Sequence, residues 1–452
     1  MPFNCSRRAF VRGVAATLVS LDARAEPPAA GPKTLTARKG TANLLPEPGH
    51  ATEIWGFEGR APGPLLRYAL GDELAVGLAN GLDKPLSIHW HGMRGDNAMD
   101  GVAPLTQAEV GPGGRFDYRR KLVDAGLFCY RPSVFGATPE LCGRGLKGLV
   151  VVDEPKPLEA DADLLLALDD WRLDKNGAIE ADFASPAAAA GAGRIGTLVA
   201  VDGAPAPARR DFAPGARIRL RLANLANARI MFVGFDNIQP FVVAVDSQPC
   251  DAFEPVRRTI PAAPGARFEL LFDLPRAENA AAKLILRGMD GEPDRELAIF
   301  TTHGGKAASR PPIASAAQNP LLPIEIKLQA AKKVDLTLEP PAAPGAPWRI
   351  NGAPSKAYGG PPLFQVKRGA PVTLGFVNRS DVVAVMHVHG HCVRLLHDLD
   401  DGWEPYWRNG VVVPPGKTKH VAFVADSPGK WAVHDDILEH EAAGLAAWFE
   451  VK

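Results

Sequence analysis

Apolar and polar residues alternate along most of this chain. Leu65 to Asn80 reads L-L-R-Y-A-L-G-D-E-L-A-V-G-L-A-N, an alternating run, a Gly-Asp turn and a second alternating run. Successive side chains of a strand point to opposite faces, so each run predicts a strand with one face on a core. The pattern returns from Ala216 as A-R-I-R-L-R-L-A-N and from Pro371 as P-V-T-L-G-F-V-N. These strands end in Asn80, Asn224 and Asn378. Each is followed by a strand opened by Pro-Gly, at Pro112-Gly113, Pro264-Gly265 and Pro415-Gly416. Recurrence at about 150 residues predicts one module used three times. Turn residues every ~8–12 positions make each module an all-β sandwich.

Composition narrows the class. The chain has 452 residues, with 45 Gly and 42 Pro, which favours short strands and turns over long helices. Lys+Arg and Asp+Glu are equal at 51 each, so no nucleic-acid partner is expected. Arg7-Arg8, a weakly apolar stretch from Val14 to Leu21 and Ala23-Arg24-Ala25 predict a twin-arginine export signal over residues 1–25. No other run approaches the ~20 apolar residues of a membrane span. The mature chain is thus expected in the oxidising periplasm, as a soluble monomer, with protein partners there left open. Cys5 leaves with the signal. Cys129 and Cys142 are near enough in sequence to pair, and Cys250 and Cys392 read as single buried residues. The Pro/Ala/Gly-rich stretch 304–323 reads as a linker, and the Ala-rich run near Ala187 as a loop or short helix. The expected domains are 33–155, 160–303 and 324–452.

Seven of the eleven histidines fall into three clusters: His89 and His91; His387, His389 and His391; His434 and His440. His89/His91 and His387/His389 alternate on strands, so each pair can face one side. Imidazoles gathered in this way point to a copper or zinc site. His50, His303, His397 and His420 stand outside the clusters and read as solvent-facing or structural.

The motifs resemble the three-domain multicopper oxidases, such as laccases and copper-efflux oxidases. Pro62-Gly63-Pro64, His89-Trp90-His91-Gly92, Asp100-Gly101, Thr106-Gln107, the His387–His391 motif and Pro428-Gly429-Lys430-Trp431 before His434 carry the resemblance in order. It spans nearly the whole mature chain and implies three cupredoxin-like Greek-key β-sandwich domains. It also implies one copper that takes electrons from substrate, and a cluster of three coppers held by eight histidines.

The ligands carry over unevenly. His89 and His91 stand in place. Where the family has W-Y-H-P-H, this chain has Cys129-Tyr130-Arg131-Pro132-Ser133. Ala384 replaces the electron-entry histidine, while His387 and His389 remain. In the last motif His434 and His440 remain, Asp435 replaces the conducting cysteine, Asp436 the next histidine and Leu445 the axial methionine. The expected metal residues are therefore His89, His91, His387, His389, His434 and His440. Asp100 and Glu441 match the acidic residues of the family's proton relay.

Two readings follow. One is a copper protein with a single reduced site between the first and third domains, without laccase-type turnover; zinc in that site stays open. The other is a copper-free envelope scaffold of the FtsP/SufI type. A dication removed from a buried site leaves a polar hole, and Arg131 with Asp436 is expected to fill it as an ion pair.

Overall fold

The computed structural model describes residues 33–45, 51–183, 185–289, 291–307, 309–397 and 402–452. The export-signal segment and His50 lie outside the described residues.

Three two-sheet sandwiches follow one another. In the first, the strands Lys33–Ala42, Thr52–Phe57, Glu73–Asn80 and Arg115–Lys121 form one sheet, and Leu66–Ala69, His89–His91, Gly126–Arg131 and Gly148–Asp153 the other. The second sandwich has sheets of seven and five strands, the third of six and five. All three share a pairing rule. Lys33–Ala42 runs parallel to Glu73–Asn80, Ala162–Trp171 to Arg217–Asn224, and Lys332–Glu339 to Ala370–Asn378. The second strand of each pair then runs antiparallel to the strand opened by Pro-Gly. Each core is apolar, with Trp90, Tyr118 and Tyr130 in the first, Leu220, Phe272 and Phe300 in the second, and Phe376, Trp431 and Phe449 in the third.

The repeated asparagine has a physical role. Asn80 Nδ2 donates to the carbonyls of Lys84 and Val110, and its Oδ1 accepts from Leu82 N. Asn224 binds Arg229 O, Ala262 O and Ala226 N in the same way, and Asn378 binds Val382 O, Val413 O and Ser380 N. Their backbone N–H groups donate to Gly114 O, Ala266 O and Lys417 O, each directly after a Pro-Gly pair. The glycines at Gly113, Gly265 and Gly416 have φ of 73, 77 and 65°, which the turn requires and a side chain resists. Each asparagine thus clips a strand end to the next turn with both amide groups satisfied. Asn224→Ala removes three such bonds inside the protein and is expected to cost about 2–3 kcal/mol, at roughly 1 kcal/mol per bond. Denaturant titration checks this, and a loss under about 0.5 kcal/mol would contradict the clip.

Residues 304–323 carry no helix or strand among the described residues. Asn319 within it donates to Asp124 and Gln248, which ties the segment to the first and second sandwiches. Among the described residues, no helix is long and apolar enough to cross a membrane. Cys129, Cys142, Cys250 and Cys392 are all free and buried, so the pairing of Cys129 with Cys142 does not occur. Cys129 packs with Leu127, Leu149, Val151, Ala167 and Ala223 between the first two sandwiches, and Cys142 lies in a short helix, Thr138–Gly143. Met386 is core.

Candidate metal centre

Two strands from different sandwiches bring the histidines together. In His89–His91 the middle residue, Trp90, enters the first core, so its neighbours face outward together. In the third sandwich Val388 does the same between His387 and His389. His434 lies directly across the ladder from His387. A bridge between Arg94 and Gly390 joins the two sandwiches beside the cluster. The rings pack closely: His89 stacks on His389 at 4.1 Å between centroids and His91 on His387 at 4.2 Å.

Hydrogen bonds set the tautomers. His89 Nδ1 lies 2.9 Å from the carbonyl of Asp100, His387 Nδ1 3.0 Å from that of Asn409 and His434 Nδ1 2.9 Å from that of Asp435. His389 Nδ1 lies 2.9 Å from Asp100 Oδ2. A carbonyl oxygen only accepts, so the Nδ1 atoms of His89, His387 and His434 must donate. Burial works against the Asp100 carboxylate, but His389 and His89 outweigh it and hold the carboxyl below its usual range, so His389 Nδ1 donates too. The four Nε2 atoms are then left as lone pairs. His89 Nε2 and His387 Nε2 are buried without a partner, and the Nε2 atoms of His389 and His434 face each other at 2.7 Å. Two facing lone pairs at that distance need a proton or a cation between them. One donor atom each from His89, His387 and His389 lies within 4.8 Å of the others. Burial pushes the His387, His389 and His434 imidazoles away from the charged form. His387 and His434 fall well below the usual histidine range, and His389 to about 4. Neutral imidazole is the ligand form.

The other half of the cluster holds an ion pair. Arg131 Nη2 donates to Asp436 Oδ1 at 2.5 Å, with Asp436 buried and the Arg131 side chain mostly so. Burial drives the Asp436 carboxyl up to about 7, and the Arg131 guanidinium opposes that rise. His91 Nε2 stands 3.7 Å from Asp436 Oδ2, outside hydrogen-bond range. The ion pair expected in the emptied position is thus present.

The remaining residues lie elsewhere. His440 does not join the other five. Its Nδ1 lies 2.8 Å from Asp435 Oδ2 and its Nε2 donates to Gly191 O at 2.7 Å, so neither ring nitrogen is free for an ion. Burial works against the charged ring, but Asp435 outweighs it and the His440 imidazole is raised above its usual value. Asp435 Oδ1 accepts from the N–H groups of Val385 and Ile437. Ala384 and Leu445 are fully buried in apolar packing nearby. A carboxylate–imidazole pair therefore stands where the family places its electron-entry copper. The Ala-rich helix Pro186–Ala190, capped by Ser185, covers it: Trp348 Nε1 donates to Ala189 O, and His440 is 0% exposed. His391 turns away from the cluster into Phe423, Trp431 and Phe449. Asp100 touches the cluster through His89 and His389. Glu441 is buried, neither of its carboxylate oxygens has a partner among the described residues, and burial raises it to about 8. His303 and His420 are exposed.

Three participants carried no sequence signal for the site. Asn409 orients His387 through its backbone carbonyl, and its side chain accepts from Arg267 at 2.5 Å. Gly191 closes over His440. Gly265 approaches the far side of His91: a Cβ there would lie 2.6 Å from His91 Nε2. Only the Pro-Gly repeat hinted at Gly265, and it did so for the turn, not the site.

Sequence profiles described as multicopper oxidase match residues 39–157 and 327–452. The chain overlays a crystal structure of a multi-copper oxidase from Pseudomonas Thermotolerans with a TM-score of 0.83 and 31% identity, covering 93% of this chain and 99% of that one. The chain belongs to the multicopper oxidase family. Among its relatives, multicopper oxidase MmcO of Mycobacterium tuberculosis is 28% identical over 98% of this chain and 95% of its own length. The crystal structure of Lac15 from a marine microbial metagenome overlays with a TM-score of 0.76 at 30% identity, covering 93% of this chain and all of that one. Copper resistance protein A of Pseudomonas syringae pv. tomato matches at 34% identity over 38% of this chain and 30% of its length. The clustered donors fit an imidazole-bound metal ion. They do not suit the full copper set, because a guanidinium lies within the cluster and no thiolate stands at the electron-entry position.

Proposed function

We propose that this multicopper oxidase family member binds a single copper through the Nε2 atoms of His89, His387, His389 and His434, and does not turn over as a laccase. The observation that supports this is the convergence of donors from His89, His387 and His389 within 4.8 Å, with His434 Nε2 2.7 Å from His389 Nε2 and the Nδ1 atoms of all four rings held by oxygen acceptors. Copper held there would supply a one-electron couple. The chain's own residues orient the rings through Asp100, Asn409 and Asp435, and keep water out by burial. Electron entry from a bulky donor is disfavoured, since the Asp435–His440 pair lies under the Ala-rich helix. The twin-arginine pattern supports export and a periplasmic site of action, where Asp100 and Glu441 stand in the positions of a proton relay.

The alternative is the copper-free envelope scaffold. The Arg131–Asp436 pair favours it, since it neutralises part of the cluster without a metal.

The two readings separate on metal content. Copper-reconstituted full-length protein is expected to hold about one copper per chain, with the paramagnetic resonance signal of an imidazole-ligated, non-blue site. His387→Ala should abolish both, and neither form should oxidise a phenol. Copper at background in the wild type would overturn the copper reading and favour the scaffold.

A further inference from the structure

We infer that the chain carries a second ion seat, overlapping the first, in which His91, His387 and Asp436 hold a divalent ion of the zinc and ferrous class. One donor atom from each of these buried residues lies within 4.8 Å of the other two. Asp436 is the change that makes the seat. It places a carboxylate beside two imidazoles, and two histidines with one carboxylate suit zinc or ferrous iron. Arg131 uses only Oδ1 of that carboxylate, which leaves Oδ2 turned toward His91.

The spacing fits an ion better than a hydrogen bond. His91 Nε2 and Asp436 Oδ2 are 3.7 Å apart. Ligands at about 2.0 Å from a tetrahedral ion stand roughly 3.3 Å from one another. Among the described residues His387 Nε2 has no hydrogen-bond partner. The gap between the His91 and Asp436 donors is kept open by Gly265: a Cβ at that position would sit 2.6 Å from His91 Nε2 and 3.1 Å from Asp436 Oδ2. A third sandwich element, the turn of the second domain, therefore borders the seat without filling it.

The two seats exclude each other. Both need His387, and the Arg131 guanidinium adds positive charge beside the second. The all-imidazole seat suits copper, and the mixed seat suits a metal that accepts oxygen. The inference rests on the copper reading only through the shared His387, and each seat has histidines of its own: His89 and His389 for the first, His91 for the second.

The test is a competition titration of the metal-free full-length protein with Cu(II), Zn(II) and, without air, Fe(II), comparing wild type, His91→Ala and His89→Ala. Neither substitution touches the Arg131–Asp436 pair. His91→Ala is expected to weaken zinc by at least about ten-fold and leave copper within about two-fold; His89→Ala should do the reverse. Zinc should bind more tightly than ferrous iron, following the usual order for such donors. Gly265→Ala, which alters no ligand, should also weaken zinc selectively. X-ray absorption on the zinc form should show two imidazoles and one carboxylate oxygen. Zinc affinity indifferent to His91→Ala would overturn the inference and leave the copper reading standing. Zinc bound through His91 with no copper site would support the inference and overturn the copper reading. Failure of both metals to bind would overturn both.

Discussion

Asp436→Asn is expected to destabilise the protein by about 3–5 kcal/mol, and Arg131→Leu by less, about 1–3 kcal/mol. The two halves of the ion pair are not equivalent. The Arg131 guanidinium, left without its carboxylate, cannot lose its proton and stays a buried charge. The Asp436 carboxyl, left without the guanidinium, can take a proton, and burial already drives it up to about 7. A neutral buried carboxyl short of one partner costs only the unmade hydrogen bond. Replacing both residues with apolar ones, as in Arg131→Met with Asp436→Leu, should recover most of the loss, because filling a buried pair with packed apolar volume is often neutral or better. Denaturant titration of the wild type, Arg131→Met, Asp436→Leu and the double mutant that joins them forms a double-mutant cycle. Equal single-mutant losses, with no recovery in the double mutant, would show that the pair is not a charge plug.

The metal-free protein should lose stability steeply as pH falls from about 6.5 toward 4. An ordinary histidine titrates near 6.5, whereas His91, His387 and His434 are held well below that value and His389 at about 4, chiefly by burial. The unfolded chain therefore binds protons at a higher pH than the folded one. Stability contributed by these neutral imidazoles is present above pH 6.5 and is lost as pH falls through the folded values. His389 alone accounts for about 3 kcal/mol over that window, at roughly 1.4 kcal/mol per pH unit. Several groups act the other way: burial raises the Asp169, Asp436 and Glu441 carboxyls to about 6, 7 and 8 and also raises Asp202 and Glu439, and, against burial, Asp435 raises His440, so their contribution falls as pH rises. The contribution of the four imidazoles is the one lost toward acid, and a comparison with and without metal isolates it. Loading the protein with copper, which competes with the protons for the same lone pairs, should move the acid limb to lower pH. Unfolding monitored by tryptophan fluorescence across pH 4–8, with and without copper, checks both statements. A flat profile without metal would mean that the cluster is already relieved by protons or water.

Much of this protein is legible in one dimension. Alternation places Trp90 in a core and His89 with His91 outside it, because a strand sends neighbouring side chains to opposite faces. The asparagines at 80, 224 and 378 recur because each ends the same strand with the same three bonds. Arg131 and Asp436 could be paired from sequence, although 305 residues apart, since the family resemblance puts both at ligand positions of one cluster. Cys129 and Cys142 show the limit of that reasoning: nearness in sequence suggested a bridge, but the fold buries one in an interface between sandwiches and the other in a short helix.

The sequence by itself determined the three-module fold and the donors available, because periodicity and residue type are local properties of the chain. Only the tertiary structure decided what those donors can do. Carbonyls from Asp100 and Asn409 set which nitrogen of His89 and His387 faces inward. Gly191, from the second sandwich, closes over His440. Gly265, from the same sandwich, leaves room beside His91. Those contacts join segments more than a hundred residues apart or turn on a carbonyl's direction, and a backbone carbonyl has no residue type to read.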